Sequence, residues 1–259
     1  MNEVNAILAI AYRDLLKLLR DPVRMASTFV FPLIFIGILG GSLQANLGPS
    51  IGYNLTTFVF TGVLAQTLFQ STTQGVISLL DDRESDFSQE IFVSPISRYS
   101  IVFGKIVGES LVAIPQGIAI VLFGLVLGIS LTGPQLIGLL ATGLVVSLLG
   151  GGFGMLMLSG FNNRRAANEI FPFLIFPQFF TAGVFTPVKV LPPYLEFLSR
   201  ISPMRYAVDL MRGLYYLGEP DAAKVILDPL GLDLAVTAIL FFGFMIIGTT
   251  LFVRNERNR

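Results

Sequence analysis

Six long apolar segments alternate with more polar ones along this chain of 259 residues. They cover 26–43, 55–80, 101–129, 135–160, 170–187 and 232–253. Each approaches or exceeds the roughly 20 apolar residues with which a helix crosses a ~30 Å hydrocarbon core. The pattern therefore predicts an all-α membrane protein with six transmembrane helices.

The first 24 residues follow a different pattern, in which apolar and charged residues separate onto two faces of a helix. Ile7, Ala11 and Leu15 recur at helical spacing, and charges such as Arg13 and Lys17 fall mainly on the other side. We predict an amphipathic helix over 1–24 in the membrane interface and a transmembrane domain over 25–259. The alternative is an ordinary soluble helix.

Composition and charge remove several functions. The chain is 53% hydrophobic and 13% charged, with zero formal net charge and neither Cys nor His. Globular domains average about 25% charged residues, which again favours a membrane protein. Zero net charge gives no indication of a nucleic-acid partner. Because the commonest general base and the thiolate ligands are missing, we expect no catalytic residue and no metal site, and an intramembrane enzyme is disfavoured.

The distribution of Lys and Arg predicts the orientation. If the N-terminus is cytoplasmic, the inside segments contain 12 Lys and Arg residues and the outside segments contain 5. The inside segments are 1–25, 81–105, 161–169 and 254–259, and the outside segments are 44–54, 130–134 and 188–231. This excess predicts an integral protein of the cytoplasmic membrane with both termini in the cytoplasm.

Polar side chains inside the predicted spans are few. Gln66, Gln70 and Thr73 form a stripe along the second span, Gln116 lies in the third and Gln178 in the fifth. Amides in lipid need hydrogen-bond partners, so these residues either pack between helices or line a substrate path. The sequence leaves both interpretations open.

Glu109 is the one carboxylate well inside a predicted span, four residues after Lys105. This spacing favours a local ion pair near the cytoplasmic surface. An ion-coupled secondary transporter usually carries several intramembrane acids, so that class is the less favoured alternative.

The loop 81–100 has the pattern of a docking helix. Phe87 and Ile91 fall on one face of a short helix over 84–94, with Glu84 and Glu90 around them, and Pro95 ends it. An apolar anchor with an acidic rim suits a groove on a protein partner. Acidic residues are a poor match for an anionic lipid surface, which is the alternative.

Three groups of residues together resemble the permeases of ABC-2 type transporters. The first is Arg13-Asp14, Leu19-Arg20-Asp21-Pro22 and Pro32; the second is Arg83-Glu84, Glu90, Val93 to Arg98 and Gly104-Lys105; the third is Gly183 to Pro187, Leu191-Pro192 and Ile201 to Gly213. The resemblance covers nearly the whole chain in order. The loop pattern is similar to that of the drug-export branch.

This resemblance implies the permease subunit of an ATP-driven exporter, with a second permease subunit that we expect to be identical. The loop 81–100 would be its coupling helix, and 188–231 would hold short re-entrant helices on the extracytoplasmic side. The implied ATPase-coupling residues are Arg83, Glu84, Phe87, Glu90, Ile91, Pro95 and Arg98. The implied extracytoplasmic gate residues are Pro187, Pro192, Pro203 and Tyr206.

The chain lacks a Walker A loop, whose backbone amides would cradle a nucleotide's phosphates. Its one Gly-Lys pair, Gly104-Lys105, is followed by Ile106. We therefore expect no cofactor on this chain, with ATP and Mg²⁺ bound by a separate ATP-binding subunit. The resemblance and the apolar spans predict a hydrophobic drug-like or lipid-like substrate; a lipid-linked polysaccharide is the alternative.

Overall fold

The computed structural model describes residues 3–20, 29–80, 98–161 and 164–257. Within these ranges the chain forms helices and turns and no strands, as predicted. The longer helices are α1 (Glu3–Leu19), α2 (Phe29–Ile51), α3 (Leu55–Ile77), α4 (Arg98–Val126), α5 (Gly133–Ser159) and α6 (Arg164–Thr181). After α6 come a 3₁₀ turn (Val188–Val190), three short helices and the long helix α10 (Leu230–Arg257). The three short helices are α7 (Pro193–Ile201), α8 (Pro203–Tyr215) and α9 (Ala222–Val225).

Four of these helices, α2, α4, α5 and α10, are long and apolar enough to cross a membrane. The other two predicted spans are helical but more polar. Gln and Thr side chains lower the hydrophobicity of the 23-residue α3. Helix α6 has 18 residues, and three charged residues near its start lower its hydrophobicity. The prediction of six spans is therefore confirmed for four by length and composition.

Two predicted boundaries were wrong. The predicted loop 44–54 is largely helical, because α2 continues to Ile51 before Gly52 ends it with φ +77°. The fifth apolar segment ends as a helix at Thr181 rather than at 187, since Gly183 adopts φ +76° and turns the chain back. This left-handed conformation is readily open to glycine, which has no Cβ.

The six long helices α2 to α6 and α10 alternate in direction. We call the end that holds Ile77, Arg98 and Ser159 the loop end, and the end that holds Leu55, Val126 and Gly133 the turn end. Near the loop end, the Asn255 Nδ2 of α10 donates to the backbone oxygen of Ser159 at 3.0 Å. Asp14 in α1 contacts Lys105 in the first half of α4, so this part of α1 and the described end of α10 lie towards the loop end.

Helix α3 is the centre of the bundle and packs against α2, α4, α5 and α8. Its residues Phe58, Phe60 and Phe69 are almost completely buried. Close approach to α5 depends on glycine: a Cβ on Gly154 would lie 2.7 Å from the backbone oxygen of Thr73. The arrangement puts the polar face of α3 against its neighbours.

Candidate functional site

A cleft of about 440 Å³ opens between α2, α3, α4 and α6. We call it the glutamine cleft. Its polar lining consists of Gln66, Thr67, Gln70, Ser71 and Gln74 from α3 and Gln116 from α4. Its apolar lining consists of Phe31 and Pro32 from α2 and Phe171, Pro172, Ile175, Phe176 and Phe179 from α6.

The polar wall follows from the spacing of amides along α3. Gln66, Gln70 and Gln74 are four residues apart, so one helix face carries all three. The Gln66 Nε2 donates to Gln70 Oε1 at 3.4 Å. The Oε1 atoms of Gln66 and Gln116 are buried and accept no hydrogen bond from the described residues. These two oxygens are therefore buried acceptors in the wall of the cleft, without a donor among the described residues.

The opposite wall is aromatic. Phe176 packs against Phe179 with ring centroids 5.9 Å apart, and Phe179 packs edge-on against Phe185 at 6.4 Å. None of the described lining residues is ionisable. A site with large apolar surfaces and a few fixed polar groups is typical of pockets for small organic ligands.

The cleft unites three of the five residues predicted to line a substrate path, Gln66, Gln70 and Gln116. The other two, Thr73 and Gln178, lie elsewhere. The Thr73 hydroxyl contacts the backbone oxygens of Phe69 at 2.7 Å and Gly150 at 2.8 Å, which joins α3 to α5.

The fifth predicted residue, Gln178, forms hydrogen bonds within its own helix and to the start of α8. Gln178 Nε2 donates to the backbone oxygen of Leu174 at 3.0 Å, and Gln178 Oε1 accepts from the Ser202 hydroxyl at 3.1 Å. Its amide thus fixes α6 to the short helices. A role for Gln178 in a substrate path stays a prediction.

A buried ion cluster joins α1 to α4. Lys105 Nζ lies 2.8 Å from Asp14 Oδ2 and 2.7 Å from Glu109 Oε1, and Arg13 contacts Asp14 at 2.8 Å. The predicted pair between Lys105 and Glu109 is confirmed. The side chain of Asp14 is buried against α4, so this carboxylate is an exception to the separation of charged and apolar residues on α1.

The predicted gate residues occupy the ends of the short helices. Pro187 and Pro192 precede the 3₁₀ turn and α7, and Pro203 begins α8. The Tyr206 hydroxyl donates to the backbone oxygen of Arg200 at 2.8 Å. These positions agree with helix starts, which tolerate proline because its missing N–H has no intrahelical partner there.

Sequence reasoning missed the role of Arg212 as a buried clamp. Its guanidinium is fully buried on the ring of Phe58, 3.6 Å from the centroid, and Nη2 donates to the backbone oxygens of Gly183 at 2.7 Å and Phe58 at 3.2 Å. Burial lowers the pKa of Arg212 to about 10, so the group stays cationic at neutral pH. It ties α3, α8 and the turn after α6 together.

The predicted coupling residues Arg83, Glu84, Phe87, Glu90, Ile91 and Pro95 lie outside the described residues. Arg98 is described as the first residue of α4. Arg98 and the described end of α3 at Ile77 both lie at the loop end of the bundle.

The bundle combines four helices that are long and apolar enough to cross a membrane with an amide-lined cleft, an arrangement that is typical of membrane transport proteins. Residues 5–216 match the family model described as ABC-2 type transporter. Because this match covers most of the chain, the protein belongs to the ABC-2 type transporter family. It is a transport permease, and membership in this family implies an ATP-binding-cassette partner.

Three relatives illustrate the range of the family. The ycf38 proteins of Cyanophora paradoxa and Porphyra purpurea, both named as transport permeases, are 26% identical over 220 and 219 residues, which cover 82% of this chain and 74% of theirs. YbhR of Escherichia coli K12, named as a multidrug ABC transporter permease, is 28% identical over 177 residues. That match covers 64% of this chain and 45% of YbhR.

Proposed function

We propose that this chain is the permease subunit of an ATP-driven exporter that moves a hydrophobic drug-like or lipid-like molecule out of the cytoplasm or the inner leaflet. The observation that carries the proposal is the glutamine cleft, which is lined by amide and hydroxyl side chains from α3 and α4 and by aromatic side chains from α2 and α6. A molecule with a large apolar body and a few hydrogen-bond donors matches both walls. The name of YbhR, a multidrug permease, supports the same substrate class.

The lining chemistry favours a molecule without a net charge at the site. A charged group buried in the cleft would need a partner of opposite charge, and the described lining residues offer none. The described carboxylate of α4, Glu109, is held by Lys105 and is thus a poor carrier for a coupling ion. These observations support ATP-driven transport over the ion-coupled alternative.

ATP hydrolysis takes place on a separate subunit in this proposal. Two permease subunits, expected to be identical, would form the pathway, and each loop 81–100 would dock into an ATPase subunit through Phe87 and Ile91. ATP binding would then push on the loop end, where α3, α4 and α1 meet. Lipid would surround the bundle in the cytoplasmic membrane, with both termini in the cytoplasm.

The transport test uses proteoliposomes that contain the chain with its ATPase partner and two probes, an uncharged lipophilic dye and a fluorescent phosphatidylcholine. ATP should drive movement of at least one probe. Gln66→Leu should reduce its transport roughly 2–10-fold, because a net hydrogen bond contributes about 0.5–1.5 kcal/mol. Asn46→Leu is the matched control, since this exposed amide on α2 contacts only Ser42 in the described structure.

Equal loss of transport in the Gln66 and Asn46 variants would contradict a role for the cleft. Failure of both probes to move, with an active ATPase present, would reject the proposed substrate class.

The coupling test compares two substitutions in the loop. Phe87→Asp should abolish substrate-stimulated ATPase activity while the permease stays folded. Ser88→Asp adds the same charge at the neighbouring position, off the predicted apolar face, and should retain coupling. Normal coupling in the Phe87 variant would refute the anchor role.

A further inference from the structure

Three carboxylates from separate segments meet at the turn end of the bundle. Asp209 lies on α8, Asp228 on the segment after α9, and Asp233 in the first turn of α10. A carboxylate oxygen from each lies within 4.8 Å of the others. Asp209 and Asp233 are 0% exposed, and Asp228 is partly exposed. The fold therefore concentrates three acidic groups in one small and largely buried volume.

Two of the three carboxylates have identifiable partners. Asp209 accepts hydrogen bonds from the backbone N–H groups of Leu227 at 3.0 Å and Asp228 at 2.8 Å. Asp228 Oδ2 lies 2.9 Å from the Arg205 Nη2. The Arg205 guanidinium offsets one negative charge, so two carboxylates remain without a contacting cation among the described residues.

Asp233 lies beside the Asp209 carboxyl group and receives no hydrogen bond from an N–H group or a hydroxyl group of the described residues. Both of its carboxylate oxygens are buried. An ionised carboxylate in such surroundings is strongly unfavourable unless a cation or a proton accompanies it. This is a second observation, beyond the clustering itself, that indicates a bound ligand at this point.

We propose that Asp209, Asp228 and Asp233 form a binding site for a single Ca²⁺ ion. Calcium binds oxygen ligands at about 2.3–2.6 Å, so ligands on opposite sides of one ion are up to ~5 Å apart. Three oxygens within 4.8 Å of one another fit inside this coordination sphere. The double charge of the ion offsets the two carboxylates that Arg205 does not neutralise.

The burial of the cluster favours calcium over magnesium. Magnesium usually keeps several of its waters and is held by one or two carboxylates, whereas calcium accepts many protein oxygens in a flexible geometry. Two of the three carboxylates here are completely buried, which limits the room for retained water. A bound ion would connect α8 to the start of α10, beside the predicted extracytoplasmic gate.

The test is a titration of the purified full-length chain in detergent with CaCl₂, after removal of divalent ions with EGTA. Calorimetry should give one Ca²⁺ per chain, and Ca²⁺ should raise the midpoint of thermal unfolding. Asp233→Asn should weaken binding by at least ~100-fold, since even partners of metal ligands account for 10–100-fold in affinity. Asp221→Asn is the control, because this carboxylate at the same end pairs with Lys224 outside the cluster.

Several results would overturn the assignment. They are the absence of saturable Ca²⁺ binding to the unaltered chain at millimolar concentration, equal affinity for Mg²⁺, and unchanged binding in Asp233→Asn. If that variant does not fold, Asp228→Asn replaces it, because Asp228 is partly exposed. No Ca²⁺ binding together with full stability of Asp233→Asn would instead show that Asp209 and Asp233 share a proton.

Discussion

The ion cluster between α1 and α4 gives the sharpest test of the packing. Lys105, Asp14 and Glu109 have side chains only 2–4% exposed. Lys105→Met removes the cation that contacts both carboxylates, so Glu109 loses its described cation while Asp14 keeps its contact with Arg13. Removing one partner from a buried ion pair costs about 3–5 kcal/mol of unfolding free energy. For a chain of this size, that loss corresponds to about 6–20 °C in the midpoint of thermal unfolding.

The assay is thermal unfolding of the purified chain in detergent, with Arg165→Met as the control. Arg165 also pairs with a glutamate four residues later, Glu169, but these side chains are 90% and 66% exposed. An exposed pair contributes up to about 1 kcal/mol, so this control should lower the midpoint by no more than ~4 °C. Equal shifts for the two variants would refute the buried cluster.

A rescue variant separates the effect of the buried charges on stability from the effect of side-chain volume. Replacement of a whole buried ion network by neutral groups is often close to neutral in stability. The quadruple variant Arg13→Gln, Asp14→Asn, Lys105→Met and Glu109→Gln should therefore recover most of the loss seen with Lys105→Met. No recovery would mean that the single variant acts through lost packing of the lysine chain.

Three further predictions concern single contacts. Glu109→Gln should lower the midpoint of thermal unfolding and leave ATP-dependent transport in proteoliposomes intact. If an ion gradient drives transport by the unaltered chain and this variant loses that transport, the ion-coupled class is favoured. Arg212→Met removes the described donor to the buried carbonyl of Gly183 and the cation on the Phe58 ring, so it should cost more than about 2 kcal/mol in the same unfolding assay; a smaller cost would contradict the clamp. Gly154→Leu should cost at least ~1–3 kcal/mol by forcing α5 away from Thr73, and an unchanged midpoint would contradict this close contact.

Local patterns in the sequence predicted local features of the structure well. Helix α1 appears where the amphipathic spacing predicts it, α3 begins at Leu55, and Lys105 pairs with Glu109 four residues away. Helical periodicity also put Gln66 and Gln70 on one face, where they now line the cleft. Each of these features depends on neighbours within two helical turns, which a single sequence displays directly.

Features that depend on distant partners could not be read from the sequence. Asp14 meets Lys105 across 91 positions, and Arg212 reaches Phe58 across 154. Hydropathy also could not place the end of α6, since 182–187 is as apolar as a span but contains the turn at Gly183. Periodicity says which face of a helix is polar, whereas the partner of that face is set by tertiary packing.

Helix α3 connects the Arg212 clamp, the glutamine cleft and the ion cluster. At its turn end, Phe58 carries the Arg212 guanidinium, and Gly62 leaves room for the turn at Val184. In its middle, Gln66 and Gln70 line the cleft, and near its loop end Gly75 leaves room for the Glu109 side chain. Because one rigid helix makes all these contacts, we expect a push on the loop end to shift the cleft wall and the Arg212 clamp together. This expectation distinguishes a concerted movement of α3 from independent movements at its two ends. In the Arg212→Met variant, substrate should no longer stimulate the ATPase activity of the partner subunit, although Arg212 lies at the turn end and the predicted coupling residues connect α3 and α4 at their other ends.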